Sequence, residues 1–118
     1  MQMSTMQSAT ILMQLVEGIR EIHPKMEAQK VTALCIVARE PGISMSALSH
    51  RLGLTLSAAS RNVSLLTDDP KRRSLGLVVR YEDPQDRRNK RVKLNERGEA
   101  FWQAMSRTLD DSLALIGG

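Results

Sequence analysis

Ser44-Met45-Ser46-Ala47-Leu48-Ser49-His50-Arg51-Leu52-Gly53-Leu54-Thr55-Leu56-Ser57-Ala58-Ala59-Ser60-Arg61 is the stretch whose reading decides the fold. Ser44 is placed to cap a helix from about Met45 to Leu52, because its hydroxyl can accept from an amide that the first helical turn leaves unpaired. Ala47, Leu48 and Leu52 would face inward, and Gly53 supplies the left-handed stop. Thr55 then caps a second short helix that runs to about Leu66. With only Gly53 and Leu54 between them, the two helices must cross steeply, which is the helix-turn-helix arrangement.

In the second of these helices Ala59, Val63 and Leu66 step by four and three and read as core. Ser57, Ser60, Arg61 and Ser64 share the opposite face. Small polar residues let a helix sink into a major groove, hydroxyls bond phosphates or base edges, and an arginine can fork onto guanine. Leu56 and Ala58 are placed to touch thymine methyl groups. Taken alone, this face also fits an ordinary solvated helix.

Upstream, Leu12, Leu15, Val16, Ile19 and Ile22 mark one stripe of a first helix that Pro24 interrupts. Val31, Leu34, Cys35 and Ala38 mark a second, stopped by Pro41-Gly42. Downstream, Leu77 to Tyr81 reads as a β-strand and Arg91 to Leu94 as its antiparallel partner. Residues 82–90 between them read as a long polar loop with its basic residues near the tip, a wing that can reach DNA backbone or a narrow minor groove. Asp86 is unfavourable near phosphates unless it braces Arg87 or Arg88. Asn95 caps a last helix whose apolar residues Trp102, Met105, Leu109, Leu113 and Ile116 step by three, four, four and three.

Composition sets the outer limits. The 118 residues suffice for one domain, read as terminal helices over 1–23 and 96–118 around a core over 30–95 with its wing at 77–94. The fold class is mainly α with a small β-hairpin. No apolar run approaches the ~20 residues that cross a bilayer, and no signal segment opens the chain, so a cytoplasmic setting without membrane attachment is expected. The net charge is +4, but residues 70–97 hold ten Lys/Arg against four acids. The whole positive excess lies in that segment, as expected if one face meets phosphates.

No enzyme is expected: His23, His50 and Cys35 have no catalytic partners or zinc spacing, and no glycine-rich phosphate loop occurs, so neither metal nor cofactor is anticipated. His50 reads as a surface residue or phosphate contact. Cys35, on an apolar stripe, reads as an inert core thiol, with redox sensing as the alternative.

Asp83-Pro84-Gln85-Asp86-Arg87-Arg88-Asn89-Lys90-Arg91-Val92-Lys93-Leu94-Asn95-Glu96-Arg97-Gly98 resembles the wing and following helix start of the MarR family of transcriptional regulators, through its Asp-Pro-x-Asp-x-Arg pattern and the later Asn-x-x-Gly. The likeness extends back through the helix-turn-helix stretch and, more loosely, from Val31 to Gly42, about two-thirds of the chain. It implies a winged helix-turn-helix homodimer on a pseudo-palindromic double-stranded DNA operator, acting mostly in repression, with release by a small-molecule effector or oxidant in many members. Carried onto this sequence, the DNA-reading residues are Thr55, Ser57, Ala58, Ser60, Arg61 and Ser64. The wing residues are Asp86, Arg87, Arg88, Asn89 and Lys90, with further phosphate contacts from Ser44, His50, Lys71, Arg72 and Arg73. The dimer interface is expected from Leu12, Leu15, Ile19, Trp102, Met105, Leu109, Leu113 and Ile116, the alternative being that the last helix packs on the first within one chain. Two departures stand out: residues 67–76 are longer and more basic than the family pattern, and the chain lacks a sixth helix, which reduces the interface and any ligand crevice. The rival readings are a winged helix used for protein contact, as in an antirepressor or assembly scaffold, and a replication or partition DNA-binding protein.

Overall fold

The computed structural model describes residues 2–69 and 74–117, with side chains of the last helix as far as Leu115. The elements are α1 (Thr5–Ile22), α2 (Ala28–Arg39), β1 (Ile43–Ser44), α3 (Met45–Leu52), α4 (Leu56–Leu66), β2 (Val78–Asp83), β3 (Asp86–Leu94) and α5 (Glu96–Gly117). They form two compact units, one from residues 27–99 and one from the two chain ends. Lys71, Arg72, Arg73 and the side chain of Ile116 lie outside the described residues.

In the central unit the local signals act as read. Ser44 Oγ accepts from the amide of Ala47 at 3.0 Å, and Thr55 Oγ1 accepts from that of Ala58 at 3.1 Å. Gly53 closes α3 with φ +67°, a conformation that costs an L side chain its Cβ clearance. Ala59, Val63 and Leu66 are fully buried. Asn95 Oδ1 accepts from the amide of Gly98 at 2.9 Å and so caps α5.

The sheet departs from expectation in two ways. It has three strands in the order β1-β3-β2, because Ile43 pairs with Val92 and Ser44 with Arg91. The long loop over 82–90 is replaced by paired strand almost to the tip. β2 runs to Asp83, β3 starts at Asp86, and Pro84 and Gln85 alone make the turn. Asp83 closes that turn, its Oδ1 accepting from the amide of Gln85 at 2.9 Å beside a proline that presets φ. The register jumps between Glu82, opposite Lys90, and Asp83, opposite Asp86, leaving Arg87, Arg88 and Asn89 as extra residues on β3.

Helix faces are also rotated from the expected stripes. α2 buries Ala33, Leu34 and Val37, while Val31, Cys35 and Ala38 are only half-buried. α3 buries Met45, Leu48 and Ser49, with Ala47 and Leu52 at the margin. Both helices carry more apolar positions than one face holds, so packing chose the phase.

In the terminal unit, α1 and the later part of α5 pack together: Ser112 Oγ donates to Gln14 Oε1, and a Cβ on Gly18 would stand 3.0 Å from Met105 Sδ. The intrachain pairing of last helix on first is therefore present. It does not consume the apolar surface. On α5 the buried side chains among the described residues are Phe101, Met105 and Ser112 rather than the full expected stripe; Trp102 and Leu109 are half-buried and Leu113 is exposed. On α1 no residue is fully buried: Leu15 and Ile19 are half-covered, and Leu12 and Val16 are exposed.

Candidate nucleic-acid interface

The recognition-helix candidates sit on α4 as its caps and phase dictate. Thr55, Ser57 and Arg61 are exposed, and Ala58 is half-buried. Among the described residues Arg61 makes no hydrogen bond or ion pair, so its guanidinium is presented to solvent ready to fork. Ser60 and Ser64 differ: both are half-buried and both hold Arg80 of β2. Arg80 donates from Nη1 to Ser60 Oγ at 3.2 Å, and from Nη2 to the Ser60 carbonyl at 2.9 Å and to Ser64 Oγ at 3.0 Å.

Sequence reasoning missed this contact, although the signal was there. On β2 the fully buried Val78 and the half-buried Arg80 occupy the same face, two residues apart, so an alternating strand directs an arginine toward the core side. A charge placed there must find partners. Burial pushes the Arg80 guanidinium below its ordinary pKa, and the helix supplies oxygens.

The wing sorts its cations by function. Lys90 pairs with Glu82 at 2.8 Å, and Arg91 is spent on structure, donating from Nε to Asp83 Oδ2 at 3.0 Å and from Nη1 to the Gly42 carbonyl at 2.8 Å. The amide of Gln85, and after it the Arg91 guanidinium, hold the Asp83 carboxyl below the usual carboxylate range. Lys93 lies over the Tyr81 ring, 5.1 Å from its centroid. Arg88 is left with its side chain 97% exposed; Asp86 Oδ1 accepts from its backbone amide at 3.2 Å and stands 3.8 Å from its Nε. Arg87 is exposed and has no partner among the described residues.

The two sets meet. Ser60, Arg88, Asn89 and Lys90 line one groove of about 220 Å³ together with Met45, Leu56 and Arg80. Of the further candidates, His50 is exposed at the end of α3, and Ser44 is half-buried with its oxygen engaged as a cap. Cys35 is half-buried, and burial pushes its thiol up against a smaller opposite pull from Arg39. That disfavours the reactive thiolate.

A short helix, a three-residue turn, a second helix and a β-ribbon that shares its groove define one architecture. The fold is a winged helix-turn-helix. Residues 30–69 match the family model of winged helix-turn-helix DNA-binding domains. Solved structures of the same fold include Rv1404 from Mycobacterium tuberculosis, at TM-score 0.77 and 19% identity over 98% of this chain and 81% of that one. They also include the S. aureus MepR–DNA complex, at TM-score 0.71 and 18% identity over 90% and 81%. A third is a MarR transcriptional regulator from Methanosarcina mazei, at TM-score 0.65 and 23% identity over 97% and 77%. No curated protein matches the sequence significantly. The winged helix-turn-helix of this chain thus has the architecture of MarR-type regulators, and among its described residues no helix is long and apolar enough to cross a membrane.

Proposed function

We propose that this chain is a sequence-specific regulator of transcription that binds double-stranded DNA as a homodimer, with α4 in the major groove and the wing in the flanking minor groove. The observation that carries the reading is the shared groove: Ser60 of α4 and Arg88, Asn89 and Lys90 of the wing line one surface, so a single duplex can meet both. Ser57, Arg61 and Arg87 are exposed as well, and they supply groups able to read bases and bind phosphates. A solved relative of this fold is a DNA complex, the S. aureus MepR structure.

The dimer rests on the chain ends. Leu12 and Leu115 are 62% and 80% exposed, with Met13, Val16 and Leu113 also uncovered after α1 and α5 have packed together. A second copy would bury that apolar surface and place two recognition helices on two half-sites, hence a pseudo-palindromic operator. Regulation by a small effector, repression as the sign of control and a cytoplasmic setting belong to the same reading.

Selection of bound duplexes from a random DNA pool tests it. Enrichment of a two-fold symmetric site is expected. If each protomer neutralises about four phosphates, affinity should fall with salt at a log-log slope of roughly −7. Absence of any enriched sequence, or a slope near zero, would refute the proposal.

A further inference from the structure

Arg80 belongs to the wing by sequence and to the recognition helix by contact. Its guanidinium grips one turn of α4 through three hydrogen bonds, at Ser60 Oγ, the Ser60 carbonyl and Ser64 Oγ. The Ser64 hydroxyl in turn donates to that same carbonyl at 3.0 Å, so both serines are organised around one cation. Neither hydroxyl is then a free, rotating surface group. A serine hydroxyl has one proton to give and two lone pairs to accept with. At Ser60 one guanidinium N–H takes one of the two lone pairs, and the O–H has no acceptor among the described residues.

We propose that Arg80 is a positioning residue for DNA recognition: it fastens the wing strand to the middle of α4, setting how far Arg88 reaches relative to the recognition helix, and it presents Ser60 to the duplex as a donor. The partner this favours at Ser60 is a hydrogen-bond acceptor, a phosphate oxygen or an acceptor edge such as guanine O6 or N7, because the hydroxyl proton is unengaged while one lone pair is already taken. Arg80 itself is half-buried in the lining of the groove with its guanidinium engaged on α4, and it touches no phosphate in this scheme. The inference rests on the DNA-binding reading above.

Two measurements separate them. The first needs no DNA. In the free protein the Arg80 guanidinium protons should exchange with solvent much more slowly than those of Arg88, and the Ser60→Ala/Ser64→Ala double variant should abolish the difference. Equal exchange at Arg80 and Arg88 in the parent protein would show that no latch exists. The second uses a random-sequence DNA duplex. Arg80→Lys keeps the charge but cannot make three bonds in a plane, and should weaken binding roughly tenfold with an unchanged salt slope. Arg88→Ala should lower that slope by about one. In the Arg80→Lys background Arg88→Ala should cost markedly less than it does alone, because a wing that is no longer held has already lost its reach. A reduced slope in Arg80→Lys would make Arg80 an ordinary phosphate contact, and strictly additive losses would show that it positions nothing; either overturns the proposal. Should Arg80→Lys fail to fold, Ser64→Ala carries the same comparison. If the parent protein binds no duplex at all, the functional reading has failed and the role in recognition falls with it, whereas the exchange result still decides whether the latch forms.

Discussion

Gly98, in the first turn of α5, lies directly against the carbonyl oxygen of Leu77, so closely that a Cβ at position 98 would overlap it. The same carbonyl accepts from the Asn95 amide at 3.1 Å, and Asn95 caps the helix on the Gly98 amide. Helix start, cap and entry to the sheet are thus closed on one another, and the glycine is what lets the backbones approach.

Gly98→Ala should therefore destabilise the protein by about 1–3 kcal/mol, since the obstacle is backbone and cannot swing aside. Gly53→Ala is the control. No described residue lies within 4 Å of the Cβ it would add, so it bears only the cost of a left-handed φ, about 1–2 kcal/mol. Denaturant unfolding of both variants measures the difference, and a smaller loss at 98 than at 53 would contradict the close approach.

Among the described residues the Arg61 side chain has no partner and that of Arg88 has only Asp86, so their removal should be harmless to folding and costly to binding. Arg61→Ala should weaken binding to a selected duplex by about 1–3 kcal/mol and relax preference at one base position in each half-site. Arg88→Ala should weaken binding to all sequences. Titration of both variants against selected and scrambled duplexes checks this; unaltered affinity in both would remove α4 and the wing from the interface.

Leu113 is 45% exposed within a single chain. A charge there is tolerated by an isolated protomer but sits in an apolar seam if two copies pair. Leu113→Asp should cost the dimer roughly 2–3 kcal/mol while leaving helix content intact. Sedimentation equilibrium over a concentration series reads the shift, and an identical mass for parent and variant would exclude the chain ends as the interface.

The Asp83 turn predicts a sign for acid sensitivity. Because the folded protein holds this carboxyl below its ordinary value, first through the Gln85 amide and then through Arg91, its stabilisation is present above the unfolded value of about 4 and is lost as pH falls through the lower folded value. Protection of the Gln85 amide, its exchange measured against the intrinsic rate at each pH, should fall below about pH 4 in the parent protein. In Asp83→Asn that protection should be low and nearly independent of pH. An equally steep acid response in that variant would assign the effect to another group.

The caps at Ser44, Thr55 and Asn95, the stop at Gly53 and the buried phase of α4 were legible in the residues, because each is decided within one helical turn: a hydroxyl or amide oxygen meets an amide three residues on. The presence of a basic ribbon after the two helices was legible for a similar reason, since strand content and turn residues are local properties. Three features were not. β1 is two residues long, too short to show any periodicity, and exists because β3 offers it a partner 49 residues away. The wing tightened to a two-residue turn through an aspartate whose role depends on Arg91 across the hairpin. The grip of Arg80 on Ser60 joins residues twenty apart in sequence, and only the packing of β2 beside α4 brings them within reach. Short-range hydrogen bonding wrote the elements into the chain; which side of each helix is buried, and which serines of α4 are left unencumbered, followed from contacts made only when distant strands and helices came together.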